Sequence, residues 1–148
     1  ERNSLVGSEM CIRDRFLSAC GENKADLEQA EKEVFEIHDE VMPKMGQLME
    51  LKTNLSKEIS VIYSLSKIKT VDSLQKRKEE ALALSLALND ADQGMMDWMH
   101  AYNSDSLKAL SADAALQAMK AEKDKISTVR DKMLESITKA EQFLKSNK

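Results

Sequence analysis

The sequence predicts an all-α fold, an elongated antiparallel three-helix coiled-coil bundle, and three observations carry that prediction. Helix breakers are scarce: the 148 residues include four glycines and one proline. Much of the remainder is Ala, Leu, Glu, Lys and Met, which lose little freedom on entering a helix. Apolar residues also recur at alternating spacings of three and four, the pattern of one buried helix face.

The first seam is Val34, His38, Val41, Met45, Leu48, Lys52, Leu55, Ile59 and Ile62. Pro43 falls inside it without disturbing its phase. An internal proline removes a hydrogen bond and kinks a helix, so the spacing predicts one long helix over 25–67, bent near Pro43. A full break there would make four helices instead of three. A polar joint at 67–73 follows, with Thr70 or Asp72 as the cap. The second helix, 71–102, presents Leu74, Ala81, Leu84, Leu88, Met95, Met99 and Tyr102. Residues 103–110 read as a loop, and Ser111 is placed to cap the third helix. That helix carries Leu116, Met119, Lys123, Ile126, Arg130, Met133, Ile137, Ala140 and Leu144. Lys123 and Arg130 interrupt its seam, where their stems can pack while the charged heads reach water. Short connections make successive helices antiparallel neighbours.

Charge and hydropathy narrow the function classes. A net charge of −4 leaves no basic footprint for nucleic acid. No apolar run approaches the roughly 18 residues needed to span a bilayer. Phosphate loops, nucleophile elbows and a zinc-protease helix are all missing; His38-Asp39-Glu40 lacks a second histidine four places on. Acidic pairs such as Glu79-Glu80 lie in mixed-charge stretches and read as solvated faces. Glu28-Lys32 and Glu40-Lys44 have the spacing of surface ion pairs. The expectation is a protein that is not an enzyme.

The N-terminus carries two resemblances. Residues 1–15, ERNSLVGSEMCIRDR, resemble the translation of a sequencing adapter. That likeness implies a replaced N-terminus and gives Met10 and Cys11 no functional weight. Leu17-Ser18-Ala19-Cys20 then resembles the lipobox of bacterial envelope lipoproteins, in which small residues precede a cysteine that receives a diacylglyceryl group. The charged and apolar parts of such a leader do not precede it here. The resemblance implies a signal-peptide remnant at 16–19, a lipidated N-terminus and short linker at 20–24, and a helical domain over 25–148. Cys20 becomes the lipid-attachment site. Gly21 in the second position favours the outer membrane, facing the periplasm, under the usual enteric sorting rule. His38-Asp39-Glu40-Val41-Met42-Pro43-Lys44-Met45 and Met95-Met96-Asp97-Trp98-Met99 are similar to segments of small helical envelope lipoproteins, some labelled after viral A-type inclusion proteins. That group implies no particular activity.

Eight of the nine methionines follow residue 15, and they are unevenly placed. His38, Met42, Met45 and Met49 fall within about 60° on one helix face. Met95, Met96, Met99 and His100 form a second group beside Trp98. Folding the first hairpin brings His38 to the level of His100 and Met42 to that of Met96. Folding the second brings Met119 beside Met95 and Met96. Gly46 and Gly94 share that height, where missing side chains leave room for close approach or a ligand. Core packing is the simplest reading, because methionine fills irregular gaps. The sharper reading is a soft-metal site for Cu(I), held by His38, Met42, Met45, Met96, Met99 and His100. The Trp98 ring could cover such a cation. A haem held between His and Met is a third reading. Helix phase counts against the full set, since Met96 and His100 lie well off the core stripe of their helix.

The functional expectation is a non-enzymatic, membrane-anchored envelope lipoprotein acting as a structural or adaptor module. Its partners would be the membrane and a protein or second copy docking along its helices. A Cu(I)-binding periplasmic or surface protein is the alternative.

Overall fold

Alternating three- and four-residue spacings give each helix one apolar stripe, and three such stripes can bury one another around a common axis. A computed structural model describes the backbone of residues 15–68 and 71–146, and side chains from Lys24 onward. The helices are α1 (Arg15–Val41), α2 (Lys44–Ser66), α3 (Asp72–Ala101), α4 (Ser104–Lys108) and α5 (Ala112–Lys145). No strand occurs among the described residues. The adapter-like segment, apart from Arg15, and the Thr70 cap lie outside the described residues.

α1 and α2 form one arm, interrupted between Val41 and Lys44. Met42 donates to the His38 carbonyl at 3.0 Å, and Met45 reaches back only three residues, to the Met42 carbonyl at 3.1 Å. Pro43 between them has no N–H to donate, yet its φ of −62° and ψ of −20° are helical. The chain therefore breaks its hydrogen-bond ladder without losing rotational phase. Val34, Val41, Leu48, Leu55 and Ile62, spaced by sevens across the break, are all essentially fully buried. The break adds a helix and leaves the number of arms at three. α1 also starts at Arg15, well before residue 25, because no proline interrupts the strong helix formers around Gly21.

Ion pairs fix the directions of the arms. Lys52 meets Asp92 at 2.8 Å and Arg77 meets Glu58 at 2.9 Å, so α2 and α3 run antiparallel. Glu33 meets Lys123 at 2.7 Å and Glu40 meets Arg130 at 3.8 Å, so the first arm and α5 run parallel. α1 packs along α5, α2 along α3, and α3 along α5. The α5 ladder of Met119, Ile126, Met133 and Ala140 is fully buried in turn.

The α3–α5 connection differs from the simple loop expected. Asn103 Oδ1 accepts from the Ser106 amide at 3.0 Å and caps α4. Ser104 and Lys108 on α4 both bind the Glu31 carboxylate of α1. The connection therefore climbs past the end of α3 before α5 turns back. Ser111 stands at the cap position of α5 without a side-chain bond, and Asp72 is the first residue of α3. Surface pairs shift by one step from those expected: Lys24 meets Glu28 and Lys32 meets Glu36, while Glu40 turns to Arg130.

Candidate functional site

Between α1 and α3 the space is filled by rings. Trp98 and Tyr102 stack with centroids 5.0 Å apart. Phe35 meets Tyr102 edge-on at 5.6 Å, and the His38 ring lies 5.7 Å from Trp98. Such offset and edge arrangements suit the ring quadrupoles. Trp98 is only 6% exposed, and its indole N–H donates to Glu122 Oε2 at 3.1 Å. The indole is a core anchor, so it offers no open partner surface. Tyr102 donates its hydroxyl to the Met119 sulfur at 3.6 Å.

This places Met119 at the level of Tyr102 rather than beside Met95 and Met96. The climb through α4 causes the displacement, since it moves α5 along the bundle relative to a tight turn. His38 does lie at the height expected, but against Trp98; its Nδ1 sits 3.0 Å from Asp39 Oδ1. Met42, Met45 and Met99 are half-buried and pack on the core. Met95 is fully buried. Met96 and His100 are exposed, as their helix phase suggests, and Met49 is half-exposed. His38 thus lies against Trp98 and Met42, Met45 and Met99 each pack on the core, while Met96 and His100 stay on the outside of α3. Gly94 does not face Gly46: a β-carbon on it would meet Val129 of α5 at 3.8 Å, whereas Gly46 looks into open space. No group of three His, Cys, Asp or Glu side chains suited to a metal occurs among the described residues.

The charges around the rings are mutually satisfied. Burial pushes the Glu31 carboxyl up, but hydrogen bonds from Lys108 and Ser104, with the Lys108 charge, outweigh it and hold it below the usual range. Lys108 is raised in return by its bond to Glu31. Hydrogen bonds from Lys123 and Gln29 lower Glu33. Burial, then the nearby Glu31 charge, raises the Tyr102 phenol. These contacts tie α1 to α4 and α5. Sequence reasoning missed the Glu122–Trp98 and Glu31–Ser104–Lys108 ties, because each spans helices whose register spacing alone does not fix.

Cys20 lies on α1, seated by the helix at the starting end of the first arm. Its side chain, like the rest of the lipobox-like segment, lies outside the described side chains. No helix among the described residues is long and apolar enough to cross a membrane. The fold is therefore a three-arm all-α bundle. No protein-family model matches the chain, and no curated protein or solved structure gives a match.

Proposed function

We propose that the chain is a non-enzymatic, membrane-anchored envelope lipoprotein whose bundle serves as a stiff helical spacer or adaptor. The observation that supports this best is the fully buried ladder running from Val34 to Ile62 on both sides of Pro43. It makes α1 and α2 one continuous strut, with Cys20 on the same strut near its start. At 1.5 Å per residue, the path from Cys20 to the end of α2 is roughly 70 Å. An acyl anchor on Cys20 would hold one end at a bilayer, each buried methylene contributing about 0.8 kcal/mol. Gly21 favours the outer membrane, with the bundle facing the periplasm.

The test is expression behind a bacterial lipoprotein leader with labelled palmitate. Label on the native sequence and none on Cys20→Ala supports the anchor; an unlabelled, unprocessed chain removes it. A Cu(I) competition titration addresses the soft-metal alternative. Tight binding lost in His38→Ala and Met42→Ala, and retained in His100→Ala, would replace the adaptor reading with a smaller site near Pro43.

A further inference from the structure

The sequence has one tryptophan and two tyrosines, and the fold sets that tryptophan against one of the tyrosines. Indole and phenol rings are among the side chains that give up a single electron most readily, and thioethers follow them. Here the three kinds meet in one run of contacts. The Trp98 and Tyr102 rings stack with centroids 5.0 Å apart, inclined by 27°. Tyr102 reaches on to the Met119 sulfur, 3.6 Å from its hydroxyl oxygen, and Met119 is fully buried. Electrons pass quickly between groups in van der Waals contact, so these side chains share one path.

Proton acceptors differ along that path. An indole that loses an electron becomes acidic at its N–H, and Trp98 already donates that hydrogen to Glu122 Oε2 at 3.1 Å. Lys125 holds the other oxygen of this carboxylate at 2.6 Å. Tyr102 has no such base. Its hydroxyl donates to a thioether, a weak acceptor. The nearby Glu31 carboxylate is already bound by Ser104 and Lys108. Burial and the Glu31 charge also make the phenol hold its proton more tightly than usual. An electron vacancy on this path therefore comes to rest on the indole.

We propose that Met119, Tyr102 and Trp98 form a one-electron relay, with Trp98 as the final donor and Glu122 as the acceptor of its proton. A one-electron oxidant, such as an inorganic radical, removes an electron from any of the three and is itself reduced. The vacancy passes to Trp98, by way of the Tyr102 ring when it starts on sulfur, and the indole N–H proton moves to Glu122. A neutral indolyl radical is left beside a protonated carboxyl, and Met119 is spared the first step toward its sulfoxide. A one-electron reductant of the ascorbate class then returns the electron, and Glu122 returns the proton. The relay goes beyond the anchor reading and does not rest on it.

The experiment is flash-quench oxidation of the full chain by a ruthenium(III) polypyridyl complex, followed by transient absorption. A Tyr63→Phe background removes the second tyrosine. The native relay should give the neutral indolyl radical. Glu122→Gln leaves the indole a hydrogen-bond acceptor but no base, and should slow loss of its proton by about 100-fold, so that the radical cation is seen first. Continuous oxidation is then read by peptide mass spectrometry. Trp98→Phe should raise Met119 sulfoxide severalfold, and Tyr102→Phe, which keeps the stack but drops the contact with sulfur, should raise it in part. Sulfoxide at Met49 and Met96, which are exposed to the oxidant directly, should not change. Circular dichroism checks that each variant stays helical. A tyrosyl radical in place of the indolyl one overturns the proposal. So does proton loss in Glu122→Gln as fast as in the native chain, or Met119 oxidation indifferent to Trp98.

Discussion

The two ends of the bundle use the same heptad repeat toward opposite ends. Around Trp98 the side chains engage one another: the buried indole stacks on Tyr102 and meets His38, Phe35 caps Tyr102 from the exposed edge, and Glu31, Glu33 and Glu122 each meet a basic or polar partner from another part of the fold or the next turn. At the α2–α3 turn they look outward, with Val61, Leu65 and Ile68 in solvent and lysines gathered around Tyr63. Spacing alone does not separate these regions. What does is the number of helices at each level, three around Trp98 and two at the α2–α3 turn, past the Phe143–Arg77 contact near the end of α5.

That contrast can be broken most directly at its centre. Trp98→Ala should lower stability by about 3–5 kcal/mol in urea unfolding, since it removes a buried ring and leaves a cavity. A loss near that of a surface substitution would show that the ring layer holds little together. Next, Glu31→Gln should loosen α4 by roughly 1.5 kcal/mol, the lower range for hydrogen bonds to a charged group, read by hydrogen exchange at Ser106 and Leu107. The same tie is sensitive to acid. The Glu31 carboxyl is held below its ordinary 4.5, so its stabilisation is complete above that pH and fades as pH falls through the lower folded value. Protection of α4 should therefore drop in acid before that of α3, and Glu31→Gln should remove the difference. Pro43→Ala sharpens the picture from the middle of the strut. It restores an amide facing the Asp39 carbonyl and should raise stability by about 1 kcal/mol, because the phase already matches. Smallest of all, Ile68→Ser should change stability by less than about 0.5 kcal/mol. A large loss there would mean that the α2–α3 turn is part of the core.

Much of this architecture was legible in residue spacing. The seam through Pro43 was readable because a seven-residue repeat continued unbroken on both sides, and a helical proline preserves rotation even as it deletes a bond. The bounds of α3 were close for the same reason: its stripe starts and stops beside polar clusters. Lys123 and Arg130 sit half-buried on the seam as expected, but their heads meet Glu33 and Glu40 of α1 instead of only water. The level of Met119 was not legible, because a short capped helix in the connection slides one arm past another, and nothing in the heptads records that slide. The burial of Trp98 was legible in the same spacing, since it extends Ala81, Leu84, Leu88, Ala91 and Met95 by one more step of three, whereas Met99, expected on that seam, is half-buried. The methionine–histidine grouping was half visible. Height along the bundle came from counting residues, whereas the outward turn of Met96 and His100 came from angle, and both were needed to see that six candidate ligands do not share one face.

The shared ladders have a consequence for how such a molecule can change size. A loss of one or two residues within any arm would rotate every position beyond it out of the interior. Only a deletion of seven, matched in all three arms, would shorten the strut and keep its interior closed, removing about 10 Å at a stroke. Its reach is therefore adjustable only in steps, like a ladder that can be sawn only between rungs.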